Sequence, residues 1–315
     1  MREICEQQEN KTLQNSLAER NGVVEERDRI VKERNKLIEN VVKLEFLGAK
    51  KVKKEKRDSE SLQADHATQM MLQESWRLSR QLQTKVCIEL NYCDAAFSNI
   101  QKALVEACPP DHYAVCSRMR NVSITGLQQI CNVRIWKDYD FRKEQVRKEL
   151  EGRETVPTVT SNLPPHMCKW AHLDEKINEI LLIHGTTQDK IDQIASFGFD
   201  ERLARESGLY GQGVYFTDQS CKSLQYSGAN CGHTGCFIVA RVILGHPSNA
   251  VGPLKSLRVE PLVDETNPCK GRCHSVIAQP GIPNGNGLQK QVHREFVLFD
   301  GAQAYPEMVV HFKIS

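Results

Sequence analysis

Three polar residues stand at the edges of apolar, strand-like runs: His184 in LLIHGT, Tyr215 in GQGVYF and Glu295 in HREFVLF. Histidine and glutamate are the side chains of acid–base work, and a tyrosine offers an aromatic face with a polar tip. Singly, each reads equally as a hydrogen-bonded residue at a strand end. Together, with glycines beside the first two, they mark a candidate site. A second constellation, Cys231-Gly-His233-Thr-Gly-Cys236, has the short cysteine–histidine spacing of a zinc ligand set. It supplies three ligands, so a fourth would have to come from Cys221, Cys269 or Cys273, and the alternative is a loop of free thiols.

The elements that must position these residues are short β-branched runs punctuated by glycine. Strands are predicted at 122–128, 180–184, 213–217, 237–244, 274–279, 295–299 and 309–314, with a helix around 136–149. Several strands follow one another with only loops between, which predicts an α+β fold with antiparallel sheets. No glycine fingerprint of a dinucleotide-binding βαβ unit and no P-loop occurs. Upstream, Leu78, Leu82, Val86, Leu90, Cys93, Phe97, Ile100 and Leu104 fall at spacings of four and three, predicting one long amphipathic helix over 62–107, stopped by Cys108-Pro109-Pro110.

The ordered blocks Ile183-His184-Gly185-Thr186, Gly211-Gln212-Gly213-Val214-Tyr215-Phe216, Ser220 through Tyr226, His274-Ser275-Val276 and Glu295-Phe296-Val297 resemble the motifs of the poly(ADP-ribose) polymerase catalytic domain. Within that family the chain is most similar to tankyrase, through Gly198-Phe199-Asp200-Glu201-Arg202, the NVRIWKDY segment and the ending Gln303-Ala304-Tyr305-Pro306-Glu307. The resemblance covers roughly residues 112–315.

The resemblance implies an ADP-ribosyltransferase fold of two packed antiparallel sheets, with NAD+ as co-substrate. It implies transfer of ADP-ribose to protein acceptors with release of nicotinamide, and a capacity to extend poly(ADP-ribose) chains. The alternatives are a mono-ADP-ribosyltransferase, or a catalytically silent NAD- or ADP-ribose-binding module on a coiled-coil scaffold. Carried over, His184 binds the adenine-side ribose, the Gly185 backbone and the Ser223 hydroxyl bind the nicotinamide amide, and Tyr215 and Tyr226 sandwich its ring. Glu295, with His184 and Tyr215 as the catalytic set, stabilises the oxocarbenium character of the ribose. Cys231, His233 and Cys236 lie where tankyrases carry a zinc loop, in a shorter segment. Residues between Phe197 and Gly211 would cover NAD+, and 279–294 would form the acceptor-side loop.

The rest of the chain bounds the setting. At 315 residues, 40% hydrophobic and 26% charged, it has ample length for a core. Lys and Arg number 42 against 40 Asp and Glu, a net +2 that carries no global footprint for nucleic acid, which is not an expected partner. No run approaches a membrane span and the start lacks a signal-peptide apolar region, so the expected compartment is the cytoplasm, the nucleus or both, with the 12 cysteines mostly free thiols. The repeats Glu19-Arg20-Asn21, Glu26-Arg27-Asp28 and Glu33-Arg34-Asn35, each leading to an apolar pair, recur every seven residues. They predict a coiled-coil-like helix able to form a homo-oligomer, which would favour automodification. The basic run at 50–57 reads as a solvated linker, or else as a nuclear-import or local nucleic-acid patch. The expected domains are thus 1–61, a charged helix and linker; 62–111, an amphipathic helical region; and 112–315, the catalytic domain.

Overall fold

The computed structural model describes residues 57–90, 95–108, 122–153, 156–164, 167, 172–204, 206–228, 234–284 and 289–314. The heptad-like segment 1–50 and the basic run up to Lys56 lie outside them. The chain divides into two units, 1–67 and 68–315, and both sheets belong to the second.

The helix expected over 62–107 is instead three elements. Helix α1 (Arg57–Leu82) stops at Gln83, whose φ of 50° is left-handed. Strand β1 (Val86–Leu90) follows, and then helix α2 (Ala95–Glu106). Val86, Ile88 and Leu90 are buried while Cys87 and Glu89 are exposed, a period of two. The four-residue gap between Val86 and Leu90 fits a helix as well as two steps of a strand, and here the strand pairing wins. β1 runs antiparallel to β2 (Val122–Cys131), so the sheet unit begins well before the boundary placed at 112.

Five strands form the first sheet in the order β1-β2-β11-β5-β3, with β3 at Glu179–Gly185, β5 at Thr234–Ile243 and β11 at Ala304–Ile314. All its pairs are antiparallel. The second sheet has the order β4-β10-β7-β6, from β4 (Val214–Phe216), β6 (Pro247–Asn249), β7 (Ser275–Ala278) and β10 (Glu295–Leu298). Here β6 and β7 pair in parallel, so the expectation of purely antiparallel sheets fails at this edge. A short hairpin, β8 (Pro283–Asn284) and β9 (Gln289–Lys290), completes the strands.

Alternate residues of β3 and β5 divide between two cores, as strand periodicity demands. Leu181, Ile183, Phe237 and Val239 pack with Ile100 and Leu104 of α2, whereas Leu182, Ile238 and Ala240 pack with Phe216, Phe296 and Leu298 of the second sheet. Helix α3 (Val133–Leu150) begins where Asn132 accepts the backbone N–H groups of Arg134 and Ile135, and it realises the helix expected around 136–149. Helices α4 (Gln188–Phe197) and α5 (Ser220–Leu224) follow β3 and β4. Among the described residues, no helix is long and apolar enough to cross a membrane.

Candidate active site

The two sheets meet where β3 leaves one and β4 enters the other. Ile183 and Thr217 exchange backbone hydrogen bonds of 2.7 and 2.9 Å, which sets the end of β3 against β4. His184 Nδ1 then lies 2.8 Å from the Tyr215 carbonyl oxygen. A carbonyl only accepts, so Nδ1 carries the proton and Nε2 presents a lone pair. Burial lowers the His184 pKa, partly opposed by that hydrogen bond, and the ring packs against Phe199 and Phe216 at 5.2 and 5.6 Å. It is therefore a neutral acceptor at physiological pH.

Tyr215 is fixed at its polar end. Its hydroxyl donates to the Gly211 carbonyl and accepts from the Tyr210 N–H, both at 2.8 Å, so the loop before β4 clasps the ring it presents. Burial pushes this hydroxyl well above the ordinary phenol range. Gly211 has φ +113°, which favours glycine, and a Cβ there would come within 2.7 Å of Phe299.

Gly185 is a second constrained glycine. A Cβ would lie 2.4 Å from the backbone oxygen of Ser223, so only glycine lets β3 and α5 approach this closely. Ser223 is buried and its Oγ has no hydrogen-bond partner among the described residues. A buried hydroxyl left bare is costly unless a ligand claims it. Tyr226 follows on the same segment, half exposed, with Lys222 Nζ 5.2 Å from its ring centre.

Glu295 opens β10 and is buried. Its Oε1 takes two donors, Lys222 Nζ at 2.9 Å and Gln291 Nε2 at 2.6 Å. Burial works against the Lys222 ammonium, but the charge of Glu295 and the Tyr226 hydroxyl outweigh it and raise the lysine's pKa. No hydrogen bond engages Oε2 of Glu295 among the described residues. The carboxylate is held at one oxygen and offered at the other.

The structure thus brings His184 to the Tyr215 backbone, Gly185 to Ser223, and Glu295 to the α5 segment that carries Ser223 and Tyr226. Lys222 and Gln291 escaped the sequence reading. Lys222 sits inside the Ser220–Tyr226 block, next to Ser223, and its charge in a buried turn was a usable signal. Gln291 lay in a Gly- and Pro-rich loop with no signal of its own.

The zinc reading gains no ligand set. Cys231 and His233 lie outside the described residues, and no three metal-ligating side chains converge among those described. Cys236 is buried on β5 with its thiol 3.9 Å from the Thr186 carbonyl, and Cys273 is turned to the Leu262 carbonyl at 3.8 Å.

Residues 96–314 match the family model of the poly(ADP-ribose) polymerase catalytic domain. Two curated relatives are the protein mono-ADP-ribosyltransferases PARP12 of Mus musculus and of Homo sapiens, 25% and 24% identical over 193 residues. Each alignment covers 61% of this chain and 22% of the relative, so the chain spans under a quarter of their length. Both carry the mono-transferase name and neither is a tankyrase. The comparisons carry the family and lend the tankyrase likeness no support.

Proposed function

The chain belongs to the poly(ADP-ribose) polymerase family by its catalytic domain, and from that premise we propose that it transfers ADP-ribose from NAD+ to protein acceptors with release of nicotinamide. The observation that carries the reading is the set of unspent valences at one junction of the two sheets: the His184 Nε2 lone pair, the bare Ser223 Oγ and the free Oε2 of Glu295.

In this reading each group spends its valence on NAD+. His184 Nε2 accepts from a hydroxyl of the adenine-side ribose. Ser223 Oγ and the Gly185 backbone bind the nicotinamide amide, while Tyr215 and Tyr226 flank its ring. Glu295 Oε2 accepts from a hydroxyl of the nicotinamide-side ribose. The glycosidic C–N bond breaks with its electron pair leaving on nicotinamide, and the carboxylate stabilises the positive charge that grows on the sugar more than it stabilises the ground state. The acceptor nucleophile then takes the anomeric carbon and gives up its proton.

Two products are possible. The presence of a glutamate beside the histidine and tyrosine supports chain extension, and the mono-ADP-ribosyltransferase names of the relatives support single additions. Incubating the purified chain with NAD+ and reading nicotinamide release and intact protein mass separates them: a ladder means extension, discrete single ADP-ribose masses mean mono-transfer. Either should vanish in Glu295→Gln while NAD+ still raises the melting temperature. NAD+-dependent stabilisation with no mass gain in the wild type would replace transfer by binding alone. Acceptors in this proposal include the chain itself, with association through residues 1–50 read from the hydrodynamic mass.

A further inference from the structure

We infer that Gln291 is a positioning residue for Glu295, one that ties the acceptor-side hairpin to the reaction centre; the inference rests on the reading of Glu295 above. Gln291 is buried, at 5% exposure. Its Nε2 donates to Glu295 Oε1 at 2.6 Å and to the His293 carbonyl at 2.7 Å. Both partners are acceptors, so the amide can face them only with its nitrogen.

Lys222 cannot by itself choose which carboxylate oxygen it meets. An ammonium on a flexible stem has three donors on a compact head and serves either oxygen equally well, and the terminal torsion of a glutamate is broad. A planar amide with its second N–H anchored on a backbone carbonyl has one direction to offer. By claiming Oε1 from that fixed direction, Gln291 sets the plane of the carboxylate, and Lys222 follows onto the same oxygen at 2.9 Å. Oε2 is then the oxygen left to substrate.

The backbone of Gln291 connects this to the acceptor side. Its N–H donates to the Ile282 carbonyl and its own carbonyl accepts from Gly281, both at 2.8 Å, closing the base of the hairpin that holds β8 and β9. A shift of that hairpin moves the amide. Disturbances at the base of that hairpin therefore read out in turnover rather than in NAD+ affinity.

The test compares the wild-type chain of 315 residues with Gln291→Met, which keeps the shape and loses the donor, and Gln291→Glu, which sets a second carboxylate against the first. Nicotinamide release should show a kcat lower by about tenfold in Gln291→Met, the size of one lost hydrogen bond to a charged group, with KM for NAD+ within about twofold. Gln291→Glu should lose more, since like charges repel where the amide attracted. Wild-type kcat in either variant, or a loss confined to KM, overturns the proposal. An independent reading needs neither turnover nor a Gln291 variant: the side-chain amide resonance of Gln291, recorded without NAD+, should move in Glu295→Ala. An unmoved resonance overturns the positioning role even if the wild type is active. A moved resonance in a wild type that releases no nicotinamide upholds the positioning and sinks the transferase reading instead.

Discussion

Strand β3 begins in one polar cluster and ends in another, and the two are built to opposite rules. At its start, Glu179 is buried with both oxygens claimed: Oε1 by the Tyr139 hydroxyl, Oε2 by Lys143 Nζ and the Asp174 N–H, each at 2.6 Å. Beside it Arg241 Nε meets Glu307 Oε2 at 3.1 Å, Gln129 takes the other Glu307 oxygen at 3.1 Å, and the guanidinium lies 5.2 Å from the Trp136 ring centre. Gln129 Oε1 has no partner among the described residues. At the other end of the strand, the buried carboxylate of Glu295 has both donors on one oxygen, and Ser223 Oγ has no partner among the described residues. Both regions bury an acid with a base. What separates scaffold from site is the carboxylate oxygen left over after folding: none at Glu179 or Glu307, one at Glu295.

The comparison breaks most sharply if the first cluster proves dispensable to the fold. Arg241→Ala leaves Glu307 and Glu179 buried with a charge partner gone, and should cost about 3–5 kcal/mol of stability by denaturant unfolding. Turnover per native molecule should stay near wild type. A loss of turnover at unchanged stability would mean that the two ends of β3 are not separate in function.

Glu295→Gln tests the other end. Nicotinamide release should fall about a hundred- to a thousandfold, the scale of removing one group that stabilises charge in the transition state. Stability should fall by less than in Arg241→Ala, because a neutral amide still offers Lys222 and Gln291 an oxygen. A destabilisation as large as that of Arg241→Ala would make Glu295 a scaffold residue.

A graded effect comes from pH. Burial lowers the pKa of His184, His246, His274 and His311, so below their unfolded value of about 6.5 the unfolded chain binds more protons than the native one. Stability is therefore full above that pH and falls as pH drops through the window down to the lowered native values. Melting temperatures from pH 8 to 5 should decline in that direction. Protonating His184 also removes its Nε2 lone pair, so NAD+ binding should weaken on the acid side, and His184→Gln, which retains an acceptor, should flatten this limb. A binding profile as steep in the variant would move the titration elsewhere.

Much of this was legible in the sequence. The apolar runs around 180–184, 237–244 and 309–314 are strands, because β-branched residues bounded by glycine have few other uses. The edges were harder to read. β1 hid because buried residues at 86, 88 and 90 also satisfy a helical four-residue step, and β6, β8 and β9 are two or three residues long, too short to show a period. The site divides the same way. His184 and Glu295 announced themselves at strand ends and Tyr215 in a short apolar run after glycine, whereas Gln291 acquires its role only when a hairpin folds it back onto Glu295, four positions on. A contact made through tertiary return leaves no periodicity to read.

The smallest effect is the most direct test of leftover valence, and it uses two serines of equal burial. Ser79 and Ser223 are both 0–1% exposed. Ser79 Oγ donates to the Thr84 carbonyl at 2.7 Å and accepts from Val133 N–H at 3.0 Å, tying the end of α1 to the start of α3. Ser79→Ala strips partners from two backbone groups and should cost about 1–2 kcal/mol. Ser223→Ala removes a hydroxyl that satisfies nothing in the unliganded fold, so its stability should be unchanged or slightly raised. Its cost should appear only when NAD+ is added, as a Kd about five- to tenfold weaker, the worth of one neutral hydrogen bond. Thermal unfolding of both variants with and without NAD+ reads all four numbers. If Ser223→Ala destabilises the free protein as much as Ser79→Ala, its hydroxyl is already spent on the fold, and the distinction between the two ends of β3 fails at that atom.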